Sequence, residues 1–353
     1  MAAKVTRRAA LALFLGSGAA ALAGCRAARA GTVAEPATPP THEPTATSVG
    51  RIAPGTRRTS AAPGRTRAET AGRTVVALPV DSVERRYVRY EPATLDPAVP
   101  VPLVLVLHGR GGSGAIAERL YEMNALADAH GFVVAYPDAL GDPPTWHSGL
   151  GMGGGQNDDV RFARALVARE AATRPIDPRR TFVCGHSSGA MMSYRLAAEA
   201  SDLFPAVGVV AGAAAAQLPH GRQLWPQQPA HPVSVIHLHG TTDELVPYGG
   251  GTRRGTGAFV SAADSIAFWV AANGCDRTPT TETVGAARRD TYSGGRDGAE
   301  VTLWTLDGAG HAWPKTRAAL QPAARAIAPA ADISASDRIW AFFAAHPRGT
   351  VAS

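Results

Sequence analysis

The sequence is poor in charge, in aromatic rings and in cysteine. Asp, Glu, Lys and Arg make up 18% of its 353 residues, against roughly 25% in ordinary soluble domains. Aromatic residues make up 6%. Three cysteines in a chain of this length exclude a scaffold built from disulfides. Glycine follows no period of three and no heptad or solenoid repeat is visible, which excludes fibrous and repeat architectures.

What charge there is lies unevenly. The formal net charge is +6 and the pI near 9.6, values that would suit a nucleic-acid partner. Residues 1–72, however, hold ten basic residues against three acids, more than the whole net charge. The remainder is nearly neutral, so a folded part would offer nucleic acid no basic surface, and that partner is excluded.

Lys4, Arg7 and Arg8 precede an apolar run at 9–23, shorter than the about 20 residues of a comfortable membrane span. This reads as a signal peptide. The run ends Leu22-Ala23-Gly24-Cys25, which resembles a bacterial lipobox with Cys25 as the lipidated residue. An ordinary secretory signal with an incidental Cys25 is the alternative. Residues 26–73 are Ala, Thr, Pro, Gly and Arg with almost no large apolar side chains, and read as a disordered tether. The expected organisation is therefore a leader at 1–25, a tether at 26–73, one domain at 74–348 and a tail at 349–353. It implies export, with the membrane touched only through a lipid anchor, and a monomer. Cys184 and Cys275 then remain as one possible disulfide or, as the apolar surroundings of Cys184 favour, buried free thiols.

Beyond residue 74, short apolar runs alternate with helical stretches. Val101–Leu107, 132–136, 181–184, Ala206–Val210 and 233–238 read as strands buried on both faces. Helices are expected at 116–129, Asp159–Thr173, 190–199 and 262–272. This order gives an α/β fold: a single mostly parallel sheet with helices on both faces. Runs at 74–80 and 85–91 are expected to pair antiparallel at one edge. Runs at 290–292 and Val301–Leu306 extend the sheet before a last helix at 333–344.

Working residues in such sheets gather beyond the carboxyl ends of strands. Gly185-His186-Ser187-Ser188-Gly189 follows one strand and opens a helix, the setting of a nucleophile elbow, and its register makes Ser187 rather than Ser188 the nucleophile. His239-Gly240-Thr241-Thr242-Asp243 follows another strand; Asp243 can hold an imidazole in one tautomer, with Glu244 as the alternate acid. Gly308-Ala309-Gly310-His311 follows Val301–Leu306 and supplies a general base. The order Ser187, Asp243, His311 is that of α/β-hydrolases. After Val101–Leu107 comes His108-Gly109-Arg110-Gly111-Gly112. No nucleotide-phosphate pattern follows that strand, so the backbone amides of Arg110 and Ser188 read as an oxyanion hole.

Asp158 and Asp159 read as an N-cap pair. His237 and His239 alternate on a strand and could chelate, but no third ligand lies within sequence reach, so no metal is assigned.

Together LVLVLHGRGG, FVVAYPDA, NDDVRFARALV, IDPRRTFVCGHSSGAMMSYRLA, HGTTDELVPY and GAGHAWP resemble the polyhydroxybutyrate depolymerase family, grouped with the feruloyl and acetylxylan esterases of carbohydrate esterase family 1. The resemblance spans residues 75–345. It implies an α/β-hydrolase and an extracellular carboxylic ester hydrolase without metal or organic cofactor. Ser187, Asp243 and His311 fall on the triad positions, and Arg110 and Ser188 on the oxyanion positions. Two departures stand out. Relatives carry a cysteine after Tyr-Ser-Gly that pairs with the one in Asn-Gly-Cys, whereas here Tyr292-Ser293-Gly294 is followed by Gly295. The glycine-rich loop 142–156 is the other; from it Trp146, with Trp313, is a candidate for an aromatic wall against a feruloyl ring or sugar, core packing being the alternative for each. The expected substrate is a small or oligomeric ester. A cell-envelope acyltransferase or serine peptidase on the same triad, and a surface-binding lipoprotein without catalysis, are the competing readings.

Overall fold

All seven side chains of Val101–Leu107 are buried, which a strand achieves only inside a sheet covered on both faces. This strand is β3, and the others are arranged around it. The structure is a computed structural model that describes residues 72–151, 158–218, 222–252, 258–315 and 333–349. The expected leader with Cys25, residues 26–71 of the expected tether and the end of the tail lie outside the described residues; Gly72 and Arg73, expected in the tether, instead open the first strand.

The chain runs β1 (Gly72–Val80), β2 (Val83–Glu91), β3, α1 (Gly114–Tyr121), α2 (Met123–His130), β4 (Val133–Pro137), α3 (Asp159–Thr173), β5 (Ile176–His186), α4 (Ser188–Glu199) and β6 (Ala206–Val210). Then come β7 (Ala216–Gln217), β8 (Gln223–Leu224), β9 (Ser234–Gly240), β10 (Gly251–Thr252), β11 (Ala258–Phe259), α5 (Ala262–Asn273), β12 (Thr280–Val284), β13 (Ala287–Tyr292), β14 (Val301–Leu306) and α6 (Ala335–Ala345). Ten strands form one sheet in the order β1-β2-β4-β3-β5-β6-β9-β14-β13-β12. Its centre, β4 through β14, is parallel, and antiparallel pairs close each edge. This is the α/β-hydrolase arrangement the alternation of runs implies.

The expected helix 116–129 is two helices. Tyr121 and Met123 are both buried, at 4% and 1% exposure, yet residues two apart in a straight helix face away from each other. Glu122 resolves the conflict by adopting φ 56° and turning the chain between α1 and α2. β12 went unread because its residues are polar and mostly exposed. So did a second, four-stranded sheet, β10-β11-β7-β8, whose two-residue strands carry no period.

A buried charge network joins β2 to α3. Arg89 binds Glu170 at 2.8 Å, and the Tyr87 hydroxyl donates to the same carboxylate. Arg85 binds Asp159 at 2.8 Å and lies over the Phe162 ring. Of the expected N-cap pair, Asp158 does cap α3 through the amides of Val160 and Arg161. Asp159 instead is buried, and its second oxygen accepts from the His147 amide at 2.7 Å, tying down the loop that carries Trp146.

Cys184 and Cys275 are both buried free thiols, and burial raises both above the ordinary thiol range. A Cβ on Gly295 would lie 2.8 Å from Cys275 Sγ, and also 2.4 Å from the Ala299 carbonyl oxygen. The chain has closed over the place where relatives are expected to carry a second cysteine.

Candidate active site

Ser187 sits at the junction of β5 and α4 with φ 55° and ψ −117°, a conformation costly for any residue with a Cβ. The surroundings impose it. Ser187 N donates to Val210 O at 3.0 Å, and Met191 N to Ser187 O at 3.0 Å. Both flanking glycines are required by contact: a Cβ on Gly185 would lie 2.5 Å from the Gly189 backbone, and one on Gly189 only 2.4 Å from Leu107 O. The turn therefore presses helix against strand and leaves the serine at the amino end of α4, where the helix dipole favours negative charge.

Asp243 and His311 come from loops after β9 and β14, which are parallel neighbours. His311 Nδ1 lies 2.8 Å from Asp243 Oδ2. Asp243 Oδ1 accepts from the Leu245 and Val246 amides at 2.8 and 2.9 Å, and His239 Nε2 approaches Oδ2 at 3.2 Å. Burial by itself would raise this carboxyl. The His239 and His311 imidazoles and the Val246 amide outweigh it and hold the group ionised well below the usual carboxylate range. An imidazole that donates from Nδ1 presents Nε2 as the basic nitrogen. Glu244, the alternate acid, is exposed. Among the described residues the Ser187 hydroxyl makes no hydrogen bond to His311 in this conformation, although both line one cleft; catalytic hydrogen bonds often close only with substrate present.

Arg110 and Ser188 border the same cleft. The Arg110 loop is closed on itself by Gly112 N donating to Gly109 O at 3.0 Å and held from outside by Gly111 N to Pro144 O at 2.8 Å and the Trp146 indole to His108 O at 2.8 Å. Ser188 opens α4, so its amide has no partner within the helix.

The sequence profile of the Phospholipase/Carboxylesterase family matches residues 155–255, which include Ser187 and Asp243. NocK of Nocardia uniformis subsp. tsuyamanensis, which carries the name of an esterase, is 33% identical over 332 residues, covering 88% of this chain and 90% of that protein. The chain belongs to the α/β-hydrolase esterases. Feruloyl esterase C of Emericella nidulans is 28% identical over 238 residues, covering 62% of this esterase and 78% of the relative. Feruloyl esterase B of Piromyces equi is 27% identical over 60% of the chain, which spans 39% of that longer protein. The fold is also that of the acetyl xylan esterase from Aspergillus awamori, with a TM-score of 0.51 and 19% identity over 68% of this chain and 95% of that one.

The esterase's cleft has a volume of about 460 Å³. Its apolar wall is Met191, Leu245, Val246 and Phe259 with Pro143; the two tryptophans expected there are elsewhere. Trp146 is 1% exposed and spends its indole N–H on His108 O. Trp313 is 8% exposed, stacks on Tyr121 at 4.2 Å and donates to Ser336 Oγ. An indole buried this deeply needs an internal acceptor, and each tryptophan turns inward to reach one. Trp146 thus braces the loop of Arg110 from behind. Phe259 was missed because it belongs to the two-residue strand β11.

Three histidines in this esterase are held neutral by burial. His186, beside Ser187, is pushed down to about 3, mainly by desolvation and then by His311. His108 and His237 are lowered by burial as well. For each, the folded state resists a proton that the unfolded chain accepts below about pH 6.5. Their contribution to stability is therefore complete above that pH and is lost as pH falls below it. The loss is at most roughly 1.4 kcal/mol per unit for each group. Urea unfolding at pH 7 and pH 5 is expected to show a clearly lower midpoint at pH 5; equal midpoints would mean that these rings are accessible to protons.

Proposed function

We propose that this protein hydrolyses carboxylic esters through Ser187, His311 and Asp243 by way of an acyl-enzyme, as an exported esterase tethered to the outer face of the membrane at Cys25. The observation that carries the reading is the 2.8 Å contact of His311 Nδ1 with a buried, ionised Asp243, at one wall of the cleft that also holds the strained Ser187. His311 Nε2 takes the Ser187 proton as Oγ attacks the ester carbonyl. The resulting oxyanion faces the amides of Arg110 and Ser188. Collapse expels the alcohol, which receives the proton from His311. Water then repeats the sequence on the acyl-enzyme and releases the acid.

The apolar wall supports an acyl group with a hydrophobic body, such as a feruloyl or short hydroxyalkanoyl group, over acetyl alone. Turnover of methyl ferulate beside p-nitrophenyl acetate and butyrate tests this, with a sugar acceptor present in a parallel reaction. Release of free acid is the expected result, and acyl transfer to the sugar as the main product would overturn hydrolysis. Phe259→Ala is expected to lower kcat/KM for methyl ferulate about tenfold while changing acetate turnover little. An equal loss on both substrates would remove Phe259 from acyl recognition.

A further inference from the structure

Three buried side chains that no step above uses form a continuous hydrogen-bonded line that ends beside Asp243. The Tyr194 hydroxyl on α4 is 2.8 Å from His237 Nδ1, and His237 Nε2 is 3.0 Å from His239 Nδ1. His239 Nε2 in turn is 2.8 Å from Val246 O and 3.2 Å from Asp243 Oδ2. None of the three is more than 1% exposed.

Donor counting fixes the direction of this line. A carbonyl and a carboxylate only accept, so His239 carries its hydrogen on Nε2. Its Nδ1 lone pair then accepts from His237 Nε2–H, and His237 Nδ1 accepts from the Tyr194 O–H. With both imidazoles neutral this is the one consistent arrangement. It also disposes of chelation by the two histidines, since their facing nitrogens are engaged with each other.

We infer that His239 is a positioning residue for the triad acid, its Nε2 held against Asp243 Oδ2 by the line through His237 and Tyr194. The inference rests on the triad proposed above. His239 meets the oxygen that His311 uses, and so fixes the carboxylate's rotation with Oδ2 toward the base. Because the His239 Nδ1 lone pair accepts from His237, the ring is fixed with its Nε2–H toward Val246 O and Asp243. The ionisable groups facing His239 are His237 on its own strand, Asp243 and Tyr248 from the following loop, and His186 from the elbow. Tyr194 reaches it from α4 through His237.

The test uses the full chain on p-nitrophenyl acetate, with kcat, KM, the pH profile of kcat/KM and a thermal melt for each variant. His239→Leu is expected to lower kcat about 10- to 100-fold with KM within about twofold. The acid limb should move up by roughly half a pH unit, because charge no longer shared with His239 favours the His311 imidazolium. His239→Gln, whose amide can donate, should recover most of both. Tyr194→Phe removes the hydroxyl that orients the His237 ring, and is expected to lower kcat by less than His239→Leu does, with KM within about twofold.

A folded His239→Leu with wild-type kcat and acid limb would overturn the inference, as would a Gln variant no better than Leu. If His239→Leu does not fold, Tyr194→Phe decides: a folded variant with wild-type kcat overturns the inference. Ser187→Ala is measured beside them. Turnover surviving in that variant overturns the triad itself, whereas its loss together with an indifferent His239 overturns only the role given to His239.

Discussion

Ser187→Ala is expected to lose turnover of p-nitrophenyl butyrate by on the order of 10³-fold or more, with the fold intact. In the proposed mechanism the loss is large because the remaining groups act through the serine oxygen. His311 has no proton to accept, and the amides of Arg110 and Ser188 have no covalent intermediate to stabilise beyond slow attack by water. Stability should change little. Alanine occupies the same φ of 55° that serine does, so the strain stays, and the hydroxyl makes no hydrogen bond to His311 that would be forfeited. Mass spectrometry after rapid quench with a slow ester supplies a second readout: a mass gain of one acyl group in the wild type and none in the variant. Wild-type turnover in a folded Ser187→Ala would show that the nucleophile lies elsewhere.

Gly189→Ala adds one methyl group and should be among the most damaging substitutions in the molecule. The new Cβ would lie 2.4 Å from Leu107 O and 2.6 Å from His108 O. Both are backbone atoms, and neither can rotate away. β3 must separate from α4, moving the Arg110 loop from the nucleophile at the same time. Overpacking of this kind costs about 3 kcal/mol or more, a fall in Tm of roughly 6–12 °C for a domain of this size, and esterase turnover should fall with it. Gly249→Ala is the matched control, since nothing lies within 4 Å of its Cβ position and its φ is not positive. It is expected to stay within about 0.5 kcal/mol of wild type. Equal stabilities for the two variants would mean that the elbow is looser than its contacts imply.

Much of the site was legible because its chemistry is written next to strand ends. Ser187, Asp243 and His311 each follow an apolar run, and a parallel sheet brings such ends to one edge. Strand boundaries at β6 and β14 and the span of α3 were read as they stand. What escaped were features in which the side chain's partner is distant in sequence. For Trp146 the sequence left an aromatic wall and core packing open, and the choice falls to core packing because its indole is satisfied by His108 O, 38 residues earlier. Phe259 reaches the cleft from a sheet of two-residue strands, which no periodicity marks. Two histidines spaced for a metal instead hydrogen-bond to each other, with a tyrosine from α4 at one end of the line.

The sequence by itself determined the α/β-hydrolase fold, the elbow with its two obligatory glycines, and the residues able to serve as nucleophile, acid and base. Those features are local: a run of buried side chains, a turn too tight for a Cβ, a polar residue just past a strand. Only the tertiary structure decided which side chains wall the cleft, that α1 and α2 break at Glu122, and that a buried line from Tyr194 ends beside Asp243. These depend on which hydrogen-bond partners and which volumes meet across the core. That is a property of packing between elements, and a single strand or helix carries no record of it.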